Sequence, residues 1–263
     1  LVLIVNNENC FYKSNPKCLK CNEPLPCFSR NCPAFMELKE RINSNNYWLN
    51  HSKKPKFKLL YLNICSFYNK IHDLKKLLLE DKQYIVLINE TWLNSTISNY
   101  EILYYFPGYL IRRLDREYSK GGGLLILYHN TIEILIENSL ITKSIELMHV
   151  SVSYTSKRKP LQILLLYRPP GCNIVNTEIE LSSLLKNVDY SSFPFIIIGD
   201  INIDLNKKYN NIINNLFTTY GFSSIKIGDT RQAKHSSTSI DWLFSNNKAL
   251  KFINNINNID TSI

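Results

Sequence analysis

Residues 195–205 read FIIIGDINIDL. An apolar run of strand length with no polar residue until its end is the pattern of a β-strand covered on both faces. The run stops by presenting Gly199, Asp200, Asn202 and Asp204 within a few residues. Such an ending is either a polar turn after a core strand or the ligand-facing edge of an α/β sheet.

Six further runs of strand length surround it: KLLYLNI (58–64), YIVLINE (84–90), GLLILYH (123–129), IELMHVSVSY (145–154), LQILLLY (161–167) and SIDWLF (239–244). Period-2 alternation is clearest in the fourth, and the others are nearly continuous. Two helical patterns lie between them. HDLKKLLLEDK (72–82) places Leu74, Leu77 and Leu78 on one stripe, and EIELSSLLKN (178–187) repeats the device. Strands mixed with fewer helices predict an α/β protein with packed sheets. Four of the runs also carry a polar residue at an edge: Asn63, Glu90, Tyr167 with Arg168, and Asp241. Carboxylates converging at strand ends would bind a hard divalent cation such as Mg, with carboxamide and phenol groups hydrogen-bonding phosphate oxygens.

The chain has 263 residues and a net charge of +9, which favours a polyanionic partner, nucleic acid first. No stretch approaches the ~20 apolar residues of a membrane span, and the opening LVLIV is shorter than a signal-peptide apolar region. The first residue is Leu, so the chain is expected to be a fragment or a processed product. Seven cysteines, an odd number, argue against a disulfide framework and for a reducing, intracellular compartment. Cys18, Cys21, Cys27 and Cys32 lie in KCLKCNEPLPCFSRNCP, a C-x2-C-x5-C-x4-C spacing. Four such thiolates either surround one tetrahedral Zn or remain reduced and unliganded. The arrangement resembles the zinc knuckle of retroelements, with Cys27 where that motif normally has His. Residues 1–56 are thus expected to be a Cys-rich segment with a basic linker, and 57–263 a catalytic-type domain.

Taken together, LLYLNICSFYNKIHDL, VLINETWLN, GGGLLILY, LLLYRPPG, IIIGDINIDL and GDTRQAKHSSTSIDWLFSN resemble, in order, the endonuclease/exonuclease/phosphatase superfamily. More narrowly, the series is similar to the apurinic-type endonuclease domain of non-LTR retrotransposons. The resemblance implies a DNase I-like four-layer α/β/β/α sandwich with its site at one edge of the two sheets. It implies that Glu90, with Asn63 nearby, holds catalytic Mg (or Mn). By the same resemblance Tyr167 bonds the scissile phosphate, Asp200 positions water or assists the leaving oxygen, Asn202 orients the phosphate and Asp241 fixes a histidine. Gly121, Gly122 and Gly123 read as a strand entry, since the Lys-Ser/Thr of a phosphate-binding loop is missing. Arg168 and Arg231 are candidate DNA contacts. The implied partners are target DNA and a downstream reverse transcriptase domain, and the implied compartment is the nucleus. The family pattern ends in Ser-Asp-His, whereas this sequence closes on IDTSI. A catalytically impaired nucleic-acid-binding remnant is therefore the alternative expectation, with a superfamily phosphatase of another substrate as a third.

Overall fold

The computed structural model describes residues 58–79, 84–117, 121–153, 159–204, 212–225, 231–233, 236–238 and 240–250. The expected zinc knuckle at Cys18, Cys21, Cys27 and Cys32 lies outside them. Among the described residues, no helix is long and apolar enough to cross a membrane. By their internal contacts these residues divide into two compact units, 96–109 and the remainder. In the smaller unit, Ser98 Oγ caps helix α2 (Asn99–Leu103; α1 follows below) by accepting from Glu101 N at 3.2 Å. Its Phe106 and Tyr109 rings meet edge to face at 6.4 Å.

The larger unit holds two main sheets. Strands β1 (Lys58–Asn63), β2 (Tyr84–Asn89), β3 (Tyr109–Leu114) and β4 (Leu124–His129) form the first, in the order β1-β2-β4-β3. The second contains β5 (Glu133–Ile141), β6 (Glu146–Ser153), β7 (Leu161–Tyr167), β8 (Phe195–Asp200), β9 (Ser223–Ile225) and β12 (Asp241–Ser245), in the order β5-β6-β7-β8-β12-β9. A small hairpin pairs β10 (Arg231–Ala233) with β11 (Ser236–Thr238). Helices α1 (Phe67–Leu79), α3 (Ile174–Lys186), α4 (Ile212–Thr219) and α5 (Asn247–Leu250) complete the fold. This is the expected four-layer α/β/β/α sandwich.

Strand parity assigns each side chain to a layer. Ile85 and Leu87 of β2, Ile163 and Leu165 of β7, Ile196 and Ile198 of β8 and Leu243 of β12 form one core between the sheets. Their alternates, Leu164, Leu166, Phe195, Ile197, Trp242 and Phe244, pack in a second core with Leu181 and Leu185 of α3 and Phe217 of α4. Each fully buried side chain of this kind contributes roughly 1.5–3 kcal/mol relative to exposure. Helix α1 buries Phe67, Ile71, Leu74 and Leu78, while Leu77, expected on the same stripe, is only partly covered. Helix α3 begins before the predicted pattern, because Asn173 Oδ1 accepts from Val175 N at 2.8 Å and caps it just after the Pro169-Pro170-Gly171 turn.

Every strand predicted from the sequence is present. The sequence pattern missed β3, β5 and β9, all at sheet edges, together with the small hairpin. Edge strands are half-solvated and carry charged residues, such as Arg112 and Arg113 in β3 and Glu133 and Glu137 in β5, so no apolar run announces them.

Gly199 is the point of closest approach between β7 and β8. A Cβ there would stand 1.8 Å from the carbonyl oxygen of Leu166, its register partner. Gly199→Ala is therefore expected to destabilise the domain by about 3 kcal/mol or more. An unchanged urea midpoint would contradict this packing.

Candidate active site

The parity that builds the inter-sheet core also builds the site. On β1, Leu59, Tyr61 and Asn63 share the inner face; on β2 the same face ends in Asn89. On β7 and β8 it ends in Tyr167 and Asp200, and on the antiparallel β12 it begins with Asp241. The ladder registers align Glu146 with Tyr167, Tyr167 with Asp200, and Asp200 with Asp241. One row of polar side chains thus crosses four strands of the second sheet, facing the Asn63–Asn89 pair of the first.

Three hydrogen bonds join the sheets along this row. Asn63 Nδ2 donates to Asp200 Oδ2 at 2.7 Å, Tyr61 Oη donates to Asp241 Oδ1 at 2.7 Å, and Asn89 Nδ2 donates to the Leu166 carbonyl at 2.7 Å. Asn89 Nδ2 also reaches Tyr61 Oη at 3.2 Å. Asn202, in the left-handed region at φ 52°, donates its backbone N–H to Asp200 Oδ1 at 2.8 Å and its Nδ2 to the Arg168 carbonyl at 2.9 Å. Both oxygens of Asp200 are thereby held. Burial and the neighbouring Asp241 carboxylate nonetheless push Asp200 up to about 7, against the opposing pull of these donors. Tyr167 is driven well above its usual range by burial, then by Glu90 and Asp200. It keeps its proton at neutral pH, and its hydroxyl makes no hydrogen bond to any described residue.

Glu90 sits just past β2 in a left-handed conformation, φ 54°, which a residue with a Cβ adopts at a cost of about 1–2 kcal/mol. Neighbouring backbone imposes it. Ser66 N donates to the Glu90 carbonyl at 2.9 Å, while Thr91 N and Trp92 N donate to the carbonyls of Gly123 and Gly122 at 3.3 and 3.0 Å. The glycine run is the expected strand entry, and it also admits Glu146: Gly123 N donates to Glu146 Oε2 at 2.6 Å. Glu146 is fully buried, paired with Arg116, and pushed up by that burial. The Arg116 guanidinium in turn lies 5.7 Å from the centroid of the Tyr167 ring.

A hard cation needs oxygen donors, and two residues supply them. Asn63 spends its Nδ2 on Asp200, which turns Oδ1 toward Cys65, a weak thiol donor 3.5 Å away. Glu90 has one oxygen engaged by Trp92 Nε1 at 3.2 Å. Its charge is felt by Cys65, Tyr167 and Asp200, which places it in the same neighbourhood. No group of three His, Cys, Asp or Glu suited to a metal exists among the described residues. One carboxylate with a carboxamide fits Mg, which keeps several waters, and does not fit a closed structural metal site.

The structure thus brings together Asn63, Glu90, Tyr167, Asp200, Asn202 and Asp241. Asp241, expected to hold a histidine, accepts a hydrogen bond from Tyr61. Arg168, expected to reach DNA, does not: it is buried, and its guanidinium donates to Thr177 Oγ1 and the Ile201 carbonyl, each at 3.3 Å, and to the Cys172 carbonyl. It pins the loop after β7 to the segment after β8. Arg231 lies in β10. Sequence reasoning missed Tyr61, Asn89 and Glu146, although the parity of LLYLN already placed Tyr61 on the face of Asn63.

No protein-family model matches the chain, and no curated protein matches it. Solved structures do. The endonuclease domain of TRAS1, a telomere-specific non-LTR retrotransposon, superposes with a TM-score of 0.58 at 14% identity, over 74% of this chain and 87% of that one. An AP endonuclease from Archaeoglobus fulgidus gives 0.54 at 14% identity, over 72% and 86%. A mannosyl-6-phosphatase of Bacteroides thetaiotaomicron gives 0.54 at 11% identity, over 73% and 86%. The fold is that of the endonuclease/exonuclease/phosphatase proteins.

Asp200 should titrate near neutrality. Its carboxyl carbon, followed by NMR in metal-free protein, is expected to show a midpoint about 7, and Asp241→Asn should lower it by removing the adjacent charge. Because the folded value is raised, the folded state holds this proton more tightly than the unfolded chain does. The associated stability is present at acid pH and falls as pH rises toward 7. A midpoint near the ordinary carboxylate value would contradict the site electrostatics.

Proposed function

We propose that this domain is a Mg-dependent DNA endonuclease of the non-LTR retrotransposon type, which nicks target DNA so that a reverse transcriptase can extend the end. The observation that carries the reading is the convergence at one sandwich edge of Asp200, poised near neutral pH, with the protonated phenol of Tyr167, Asn202, Asn63 and Glu90. The net charge of +9 suits a polyanionic substrate, and the likeness to the TRAS1 endonuclease domain agrees with it. The expected setting is the nucleus, with a reverse transcriptase domain as partner.

In this reading a phosphodiester enters between the sheet ends. The Tyr167 O–H and the Asn202 carboxamide fix its non-bridging oxygens. Asp200 stands where a proton must move: it takes one from the attacking water, or gives one to the departing oxygen. The phosphorus–oxygen bond breaks to leave a phosphate on one strand end and a hydroxyl on the other. Mg held by Glu90 and Asn63 would supply positive charge against the charge that gathers on the phosphate. Tyr61 and Asn89 hold Asp241 and the sheet ends in register.

Supercoiled plasmid incubated with the protein and Mg should be converted to the nicked form, and chelator should stop the conversion. Asp200→Asn and Glu90→Gln should each slow it by ~10²–10⁴-fold while DNA affinity changes little, since binding rests on distributed Lys and Arg contacts. Plasmid that stays supercoiled at every Mg concentration, with release of phosphate from small phosphomonoesters instead, would overturn the endonuclease reading.

A further inference from the structure

The outer face of the second sheet carries a polar feature that phosphodiester chemistry does not use. On the face opposite Asp200, a cavity of about 600 Å³ lies beside β5, β6, β7 and the C-terminal half of α3. Its lining includes Glu137, Asn138, His149, Gln162, Glu180 and Asp189. In a protein of net charge +9, three carboxylates line it and, among the described residues, no lysine or arginine does.

A hydrogen-bonded pair from the sheet lines this cavity. His149 and Gln162 are more than nine-tenths buried. Gln162 Nε2 donates to Ser151 Oγ at 3.0 Å, so its Oε1 faces His149 Nε2 at 2.8 Å and accepts the imidazole proton. That leaves Nδ1 as a lone pair with no hydrogen-bond donor among the described residues. Burial lowers the basicity of His149 and keeps the ring neutral, with the Glu137 charge opposing. Strand β5 is also shaped around this point. Ile136 pairs with Val150 and Asn138 with the next residue, His149, so Glu137 is the extra residue of a β-bulge. A bulge sets two residues against one; here Glu137 and Asn138 both line the cavity beside His149, where regular alternation would have sent Asn138 to the opposite face.

We propose that this cavity binds a primary alkylammonium group, carried by a free polyamine or by a lysine side chain of a protein partner. An ammonium has three donors and no acceptor, and the wall offers single acceptors spread around one space: His149 Nδ1, the carboxylate of Glu137, and the oxygens of Glu180 and Asp189. Glu180 Oε2 accepts from Thr142 Oγ1 at 2.6 Å. Asp189 Oδ1 accepts from Ser191 Oγ and Ser192 N, each at 3.0 Å. Both carboxylates are oriented by these bonds before any ligand arrives. A planar guanidinium seeks two coplanar oxygens of one carboxylate, an arrangement this set does not present.

The test is titration of the full chain with spermidine, and separately with a glycine-flanked lysine peptide, followed by NMR at Asn138, His149 and Gln162. Saturable shifts are expected. Glu137→Gln should weaken them by ~10-fold or more, as for loss of a charge-assisted hydrogen bond. Glu133→Gln, an exposed change on the same strand outside the cavity lining, should leave them unchanged. Response to spermidine alone identifies a free amine, and response to the peptide identifies a partner's lysine. Absence of saturable shifts with both probes overturns the assignment, as does equal weakening by the two variants.

Discussion

Asp200 is held from both sheets at once, and the organisation of the site follows from that constraint. Its two oxygens accept from Asn63 on the first sheet and from the backbone of Asn202 at the end of its own strand. Beside it, Tyr61 reaches across to Asp241 and Asn89 reaches across to the β7 backbone. Buried carboxylates without partners cost several kcal/mol each, and hydrogen bonds to charged groups return about 1.5–3 kcal/mol. These cross-sheet bonds are what allow acidic groups to stand at the end of an otherwise apolar core. Gly199 is part of the same arrangement, because β8 comes so close to β7 at Leu166 that only glycine fits.

The electrostatic consequence is a graded set of acids. Glu146 is neutralised by Arg116 and a backbone N–H, and Asp241 has a phenol as donor. Asp200 has two donors, yet burial and the adjacent Asp241 outweigh them and bring it close to neutral pH. In the proposed chemistry Asp200 is the member that exchanges a proton. Glu90, reached through a left-handed backbone stitched to its neighbours, is the carboxylate suited to the proposed cation.

Much of this was legible in the sequence because central strands announce themselves. FIIIGD, LQILLLY and YIVLIN are nearly continuous apolar runs, and period 2 then dictates that Asp200, Tyr167 and Asn89 end on one face. The motif series carried the fold, since the order of ETWL, YRPP, GDIN and TSID admits few arrangements. Edge strands escaped, because β5 exposes most of its length and reads as a loop. Arg168 was misjudged for a related reason. An arginine after a strand is usually solvated, and only the three-dimensional return of the loops through Ile201 and Cys172 supplies the acceptors that bury it. Tyr61 was not singled out, because its partner Asp241 lies 180 residues away in the chain.

The most direct test of the central claim, that the sheet ends form a cation and phosphate site, is paramagnetic broadening by Mn in place of Mg. Substoichiometric Mn added to isotopically labelled protein should first erase the amide signals of Asn63, Glu90 and Asp200, and Glu90→Gln should restore them. Broadening centred elsewhere, or unaltered by Glu90→Gln, would contradict the account.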